Sequence, residues 1–178
     1  MKIGFGRGRE MEVEIKAKID DSGEFEKILN YLGARFLREV VEEDLYFNHP
    51  CRDFAQTDEA LRIRSDGTLT YKGPKVDRDT KSREEINLRI GGVQDARSLL
   101  EKLGFRFVAS VRKRRKYYSL GEVTICVDDV ENLGNFVEIE CIGEYDPCRD
   151  RVLSLAKQLE IERFITKSYL EMLLEKEK

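Results

Sequence analysis

The sequence lacks the features that mark zinc-binding, secreted and membrane-spanning proteins. Its four cysteines show no CxxC spacing, and no signal peptide precedes them. A zinc site is therefore not expected, because such sites usually need closely spaced cysteine or histidine ligands. No apolar run approaches the ~20 residues that a membrane-spanning helix requires, and no targeting segment is visible. These absences favour a cytoplasmic protein that has no membrane contact.

The cysteines themselves leave two interpretations open. Cytosolic proteins usually keep their cysteines as reduced, partly buried thiols, which is the simpler expectation here. A disulfide between Cys51 and Cys148 is the alternative if the source is a hyperthermophile, whose intracellular proteins can carry such bonds. The high content of Lys and Glu fits a source of that kind.

A strong excess of charge of one sign is also missing. The 32 Lys and Arg residues nearly balance 35 Asp and Glu residues and leave a net charge of −3. A long-range field that attracts nucleic acid is therefore not expected. The basic run at 112–116 alternates along a predicted strand, and it lacks the interleaved aromatic residues on which single-strand binders stack bases. We expect no nucleic-acid partner, so any anion site must arise from local clustering of basic side chains.

Histidine is nearly absent, which limits the candidates for acid–base catalysis. The only histidine, His49, lies between Asn48 and Pro50. Proline disfavours helix and ends strands, so this tripeptide is typical of a turn at the end of a strand. A structural or surface role for His49 is favoured over a catalytic one.

The length and the spacing of apolar residues predict one domain. A chain of 178 residues suits a single compact domain that buries ~68–70% of its surface. Residues 1–10 are rich in Gly and Arg and are expected to form a flexible tail, followed by a single domain over 11–178.

Alternation of apolar and ionic residues predicts an α+β fold with about eight antiparallel strands. From Met11 to Ile19 the two kinds of residue alternate with the period of two that a strand requires. The further predicted strands are 35–47, 60–64, 68–72, 81–89, 105–119, 122–129 and 135–145. Caps and helical spacing predict helices near 22–32, 93–103, 147–159 and 168–175. A Gly73-Pro74 turn is expected to lead to the strand at 81–89.

The ionic faces of these strands are segregated by the sign of their charge. An antiparallel sheet with one wet face and cross-strand salt bridges would explain any single strand. A wet sheet face explains the predicted strands less well when they are taken together, because carboxylates cluster on the first and last strands and cations lie between them. The carboxylates are Glu12, Glu14, Asp128, Glu138 and Glu140. The cations are Arg62, Arg64, Lys72, Lys113 and Arg115.

Closure of the sheet would bring the first and last strands together. Four or five carboxylates would then meet, and so much like charge requires cations nearby. Hard oxygen ligands of this kind suit Mg²⁺ or Mn²⁺, which complete their coordination with water and substrate phosphate oxygens. Arg and Lys opposite could bind the phosphates, Arg in bidentate fashion and Lys as a point charge.

One motif resembles a known family. Glu12-x-Glu14-x-Lys16 is similar to the ExExK signature of the CYTH superfamily, the triphosphate tunnel metalloenzymes. Later segments resemble the family's further motifs in the same order, and the similarity extends from Met11 to Leu174. These segments are Arg62-x-Arg64, Thr70-Tyr71-Lys72-Gly73-Pro74, Lys81-x-Arg83-x-Glu85, Lys113-x-Arg115-x-x-Tyr118, Asp128 with Leu133-Gly134-x-Phe136-x-Glu138-Ile139-Glu140, and Lys167-Ser168-Tyr169-x-x-Met172-Leu173.

The resemblance implies a closed eight-stranded antiparallel β-barrel with flanking helices, whose tunnel holds a triphosphate and one or two divalent metals. It implies Glu12, Glu14 and Lys16 as catalytic residues and a homodimer as a candidate assembly. The implied metal ligands, direct or through water, are Glu12, Glu14, Asp128, Glu138 and Glu140. The implied phosphate-binding residues are Lys16, Arg62, Arg64, Lys72, Arg83, Lys113 and Arg115, with Glu85 orienting one of these cations.

Within the superfamily, the segments 44–50 and 57–64 are most similar to class IV adenylyl cyclases, which implies conversion of ATP to cyclic AMP and pyrophosphate. Those cyclases carry a His-Phe pair shortly before the first glutamate, where this sequence has Gly4-Phe5-Gly6-Arg7. The ending Glu138-Ile139-Glu140 also suits triphosphatases. Hydrolysis of thiamine triphosphate, tripolyphosphate or a nucleoside triphosphate is therefore one alternative, and a non-catalytic polyphosphate or nucleotide binder is another.

Overall fold

The structure, a computed structural model, describes residues 11–75 and 83–176. Its strands are β1 Met11–Lys18, β2 Arg35–Asn48, β3 Ala60–Arg64, β4 Thr68–Lys75, β5 Arg83–Arg89, β6 Arg106–Leu120, β7 Val123–Val130 and β8 Gly134–Gly143. Its helices are α1 Ser22–Tyr31, α2 Phe54–Thr57, α3 Val93–Lys102, α4 Tyr145–Gln158 and α5 Tyr169–Lys176. Within these ranges, no helix combines the length and the apolar character that crossing a bilayer would require.

The strands close into an antiparallel barrel in the order β1-β5-β4-β3-β2-β6-β7-β8. The first and last strands pair along eight residues, from Met11 opposite Gly143 to Lys18 opposite Phe136. Pairing of β1 with β5 rests on Glu12 opposite Arg83 in the described residues. The predicted closed eight-stranded antiparallel barrel with flanking helices is therefore confirmed.

Most of the hydrophobic core lies outside the barrel, between the strands and the helices. A smaller cluster joins Tyr169 of α5 to three strand residues that have the inward parity of the charged residues, namely Val111, Val130 and Phe136. α1 and α4 cover β1, β7 and β8, where Ile15, Ile125 and Ile139 are fully or almost fully buried. α3 covers β3, packing Leu100 in one cluster with Ile63. Burial of each such side chain stabilises the fold by about 1.5–3 kcal/mol. Because successive residues of a strand point to opposite faces, this outer core turns the ionic residues inward.

Helix α1 begins and ends as its sequence predicts. The carboxylate of Asp21 accepts hydrogen bonds from the N–H groups of Gly23 and Glu24, which have no partner within the helix. Gly33 follows the helix with φ of +81°, a conformation that glycine adopts without strain.

Two local predictions differ from the structure. Helix α2 was not predicted, because its single turn depends on Asp53, whose carboxylate accepts a hydrogen bond from the N–H of Ala55. The Gly73-Pro74 turn is wrong, since both residues lie within β4. The pairing of β4 with β5 shifts register between Lys72 and Lys75, an irregularity that tolerates a proline without a backbone donor. The predicted start of the next strand, 81–82, lies outside the described residues.

Cysteine pairing also differs from both expectations. Cys141 in β8 and Cys148 in α4 form a disulfide, with 5.3 Å between their Cα atoms. The bond forms because α4 turns back against β8 within seven residues. Cys51 is free and exposed, so the Cys51–Cys148 alternative is wrong, and Cys126 is free and buried.

His49 has the structural role that the sequence favoured. Its ring packs against Phe54 and Phe105, with ring centroids 5.8 and 5.2 Å apart. Its Nδ1 accepts a hydrogen bond from the N–H of Cys51 at 3.1 Å, which fixes the turn after β2.

The disulfide predicts a specific thiol count. Unfolded without reductant, the protein should react with two equivalents of a thiol reagent, at Cys51 and Cys126, and with four after reduction. Peptide mapping by mass spectrometry should recover a linked pair containing Cys141 and Cys148. Four reactive thiols in protein purified under oxidising conditions would contradict this pairing.

Candidate active site inside the barrel

The inward-facing side chains surround a cavity of about 360 Å³. The structure brings every predicted site residue except Asp128 to the wall of this cavity. These lining residues are Glu12, Glu14, Lys16, Arg62, Arg64, Lys72, Arg83, Glu85, Lys113, Arg115, Glu138 and Glu140. We call this cavity the tunnel.

Three carboxylates converge on one point of the tunnel wall. Glu12, Glu14 and Glu140 each offer an oxygen atom within 4.8 Å of the others. Their proximity follows from closure of the barrel, which makes Glu14 on β1 the cross-strand partner of Glu140 on β8. We call Glu12, Glu14 and Glu140 the acidic trio.

The acidic trio carries more negative charge than its surroundings balance. Burial and the neighbouring Glu140 carboxylate raise the pKa of Glu12 well above its ordinary value. Burial also raises the pKa of Glu140 to about 7, with Glu14 and Glu138 adding to the effect against the opposing charge of Arg115. A divalent cation fits this site, because hard carboxylate oxygens are the ligands that Mg²⁺ and Mn²⁺ prefer and a cation would relieve the repulsion.

The pKa of Glu85 is lowered, in contrast to the raised pKa of Glu12 and Glu140. Burial of Glu85 would raise its pKa, but the charge of Lys72 and a hydrogen bond with Glu12 lower the pKa to about 2. Lys72 is the cross-strand partner of Glu85 and forms an ion pair with it. The structure thus places Glu85 between a phosphate-binding candidate and the acidic trio.

The other two predicted metal ligands bind Arg115. The carboxylate of Asp128 accepts hydrogen bonds from Nε and Nη2 of Arg115 at 2.6 and 2.5 Å. Glu138 accepts from the same Nη2. Asp128 is fully buried and also accepts a hydrogen bond from the hydroxyl of Tyr169 at 2.7 Å. In this structure Asp128 and Glu138 therefore orient an arginine at the edge of the acidic trio.

Lys16 and Arg83 line the tunnel and donate hydrogen bonds to backbone carbonyl groups. The ammonium group of Lys16 donates to the carbonyl of Lys167 at 3.1 Å and lies 3.7 Å from the ring centroid of Tyr169. Arg83 donates through Nη1 to the carbonyls of Gly73 and Asp58, at 3.1 and 3.3 Å. Tyr169 was predicted only as part of a closing helix, yet it contacts both Lys16 and Asp128.

Two buried carboxylates of β2, Glu42 and Asp44, were missed by the sequence analysis. Asp44 accepts hydrogen bonds from Nε and Nη2 of Arg64, at 2.7 and 3.0 Å. Lys113 lies 3.0 Å from both carboxylates. Both alternate with outward residues along β2, so the same parity that identified the other strands could have revealed them.

Beyond the charged residues the tunnel acquires apolar lining. Side chains from α2, β6 and α5 contribute to its wall. They are Phe54, Ala55, Val108, Leu170 and Leu174. The wall of the cavity therefore combines ionic side chains that suit phosphates with apolar side chains that suit an uncharged organic group.

Comparison with known proteins identifies relatives over most of the chain. A protein of Methanocaldococcus jannaschii, named "Putative adenylate cyclase MJ0240", is 44% identical over 171 residues, covering 91% of this chain and 98% of its own. "Adenylate cyclase CyaB" of Aeromonas hydrophila is 33% identical over 134 residues, covering 72% and 67%. The solved structure of the PH1819 protein of Pyrococcus horikoshii is 42% identical with a TM-score of 0.83, covering 93% of this chain and 99% of its own.

Residues 10–170 match the CYTH domain. CYTH enzymes act on triphosphates and depend on divalent metal ions, and the acidic trio provides a cluster of carboxylates for such an ion. The resemblance that began with Glu12-x-Glu14-x-Lys16 is confirmed: the chain belongs to the CYTH family.

Proposed function

We propose that the protein binds ATP together with a divalent cation in the tunnel and converts it to cyclic AMP and pyrophosphate. The observation that carries this proposal is the acidic trio, within 4.8 Å, facing buried Arg and Lys side chains in one cavity. The relatives at 44% and 33% identity, which bear adenylate cyclase names, support the choice of reaction.

The acidic trio would hold Mg²⁺ or Mn²⁺, with Glu138 of the same cavity as a further ligand, direct or through water. Asp128, the other ligand that the resemblance implies, is bound to Arg115 and Tyr169 outside the tunnel wall, so we do not assign it to the metal. When bound, such a cation supplies charge neutralisation at the phosphates and lowers the pKa of a coordinated hydroxyl. Lys72 and Arg115 lie at the border between the acidic trio and the other cations, so both can contact phosphate oxygens that approach the metal.

The remaining cations would hold the triphosphate chain. Arg62 lines the tunnel, and its buried Nε has no hydrogen-bond partner in the described part of the chain. A buried donor without a partner costs about 1–3 kcal/mol, and a phosphate oxygen would remove that cost. In the cyclase reaction the ribose 3′-oxygen would give up its proton to water and form a bond to the α-phosphorus, while the bond from the α-phosphorus to the bridging oxygen breaks. Pyrophosphate leaves with its new charge stabilised by the surrounding Arg and Lys side chains.

The apolar side chains of the tunnel wall support an organic triphosphate over an inorganic one. Leu170 and Leu174 of α5 and Val108 of β6 line the same tunnel as the charged residues. Apolar side chains of this kind give a nucleoside a surface to contact, whereas tripolyphosphate has no group that would use it.

Triphosphate hydrolysis is the second candidate, and one observation favours it. The sequence ahead of Glu12 reads Gly4-Phe5-Gly6-Arg7, without the His-Phe pair of class IV cyclases. In the hydrolase a water molecule takes the place of the ribose hydroxyl and attacks the terminal phosphorus, while the same residues bind the phosphates.

One assay distinguishes the candidates. The protein is incubated with Mg²⁺ or Mn²⁺ and with ATP, thiamine triphosphate or tripolyphosphate, and the products are separated by chromatography. We expect cyclic AMP and pyrophosphate from ATP. Orthophosphate would instead identify a triphosphatase. Binding of all three without any product would contradict both enzymatic candidates and identify a binding protein.

Neutralising one carboxylate of the acidic trio should abolish turnover. Glu14→Gln keeps the shape of the side chain but removes a charged metal ligand, and we expect at least a ~100-fold loss in kcat. Glu43→Gln, at an exposed outward position of β2, serves as the matched control and should retain activity. Near-full activity of Glu14→Gln would contradict the metal assignment.

The raised pKa of Glu140 predicts how metal and pH act together on stability. Without metal, the folded state keeps this proton up to about pH 7, whereas the unfolded chain releases it near its ordinary pKa of 4.5. The contribution to stability is therefore present below pH 4.5 and is lost as the pH rises through 7. The melting temperature in EDTA should fall over this range, less steeply in Glu140→Gln.

Added Mg²⁺ or Mn²⁺ should raise the melting temperature more at pH 7.5 than at pH 5, because the ion competes with protons for the same carboxylates. Equal stabilisation at both pH values would contradict cation binding at the acidic trio.

A further inference from the structure

Three cations of the tunnel converge on one buried carboxylate that the metal site does not use. Asp44 is 1% exposed and is surrounded by Arg62, Arg64 and Lys113. Arg64 donates to it through Nε at 2.7 Å and Nη2 at 3.0 Å, and Lys113 donates at 3.0 Å. Nη1 of Arg62 lies 3.5 Å from the same carboxylate. Asp44 thus joins side chains from β2, β3 and β6.

A carboxylate in this position works against simple anion binding. It cancels one positive charge among residues that would hold a triphosphate, so it weakens their net attraction for the substrate. Its benefit must therefore be geometric. Three buried cations repel one another. Glu42 lies 3.1 Å from Arg64 and 3.0 Å from Lys113. Asp44, in contrast, pairs with these two and with Arg62. Without Asp44 the three side chains would lose their shared partner and would separate or turn away from the tunnel.

The hydrogen bonds to Asp44 use only some of the N–H groups of the three cations. Arg64 uses its Nε and Nη2 edge for Asp44, which leaves Nη1 for another partner. Arg62 keeps an unpartnered Nε while its Nη2 donates to Thr70 at 3.2 Å. Both arginines line the tunnel, as does Lys113. The arrangement fixes each cation and leaves N–H groups for a ligand.

Arg115 on β6, two strands from Arg64 on β3, is held in the same way. Asp128 binds the Nε and Nη2 edge of Arg115, as Asp44 binds that of Arg64. In both pairs the aspartate is the cross-strand partner of its arginine. Two aspartates therefore present two arginines to the tunnel through one geometry.

We propose that Asp44 is a positioning residue, which holds Arg64, Arg62 and Lys113 as one preorganised unit for binding the phosphate chain and its developing charge. This role rests on one element of the proposed function, namely that a triphosphate binds in the tunnel. Asp44 acts through these cations, because its carboxylate is buried and paired with all three. Preorganised donors matter most where charge develops during the reaction. Loss of Asp44 should therefore lower kcat more than it lowers the affinity for the substrate.

The test compares Asp44→Asn with wild type and with Glu43→Gln, which changes the neighbouring outward residue of the same strand. Asn keeps the shape of Asp but loses the charge, so the cations become more attractive to an anion and less well placed. We expect kcat to fall by about 100-fold, as misplacement by ~1 Å can cause. The Kd for tripolyphosphate with Mg²⁺ should stay equal or become lower. Asp44→Glu retains the charge but carries it on a longer side chain, so it should recover only part of the wild-type kcat.

A salt bridge that merely supports folding would behave differently. It would lower the melting temperature and reduce kcat and affinity together, and that result would overturn the proposal. So would an Asp44→Asn variant that is folded and keeps kcat within twofold of wild type.

Phosphorus NMR of bound tripolyphosphate separates this proposal from the assignment of an enzymatic reaction. If wild type binds tripolyphosphate without turnover, the resonances of the bound ligand should shift in Asp44→Asn and stay unchanged in Glu43→Gln. Unchanged spectra in both variants would overturn the positioning role, whatever the protein catalyses. If wild type binds no triphosphate at all, the proposed function and the role of Asp44 both fail.

Discussion

Charge compensation inside a closed barrel is the constraint on which the rest of the structure depends. Each ion removed from water costs several kcal/mol, so a buried charge persists only beside opposite charge. Asp44 lies among three cations, and Arg115 lies among Asp128, Glu138 and Glu140. The balance fails at the acidic trio, where burial and like charge raise the pKa of Glu12 and Glu140. The interior of the barrel thus combines the acidic trio, which requires a cation, with rows of Arg and Lys side chains, which require an anion.

The fold tolerates an ionic interior because most of the hydrophobic core lies elsewhere. α1, α3 and α4 bury the outer faces of the strands, so most of the apolar burial does not depend on the tunnel. The same period of two that builds the outer core delivers the charged residues inward. For this reason alternation predicted the strands, and closure of the sheet, if it occurred, predicted a meeting of carboxylates from the first and last strands. The closed barrel itself was implied by the resemblance to the CYTH family, and the structure shows that Glu14 and Glu140 are the residues paired there.

What the sequence could not supply is the choice of partner for each charge. Alternation places Asp128 inside, but only the coordinates reveal that it binds Arg115 and Tyr169. Asp44 escaped notice because a carboxylate among cations breaks the segregation by sign that drew attention to the other strands. The disulfide of Cys141 with Cys148 depends on the angle at which α4 meets β8, which local pattern does not encode. Helix α2 is a single turn, too short for any periodic signal.

A crystal structure of the protein with Mn²⁺ and a non-hydrolysable ATP analogue tests the central claim most directly, because anomalous scattering identifies manganese by element and locates it. The account predicts manganese about 2 Å from oxygens of Glu12, Glu14 and Glu140, with the phosphates between that ion and the arginines held by Asp44 and Asp128. Manganese elsewhere, or a triphosphate bound outside the barrel, would contradict it.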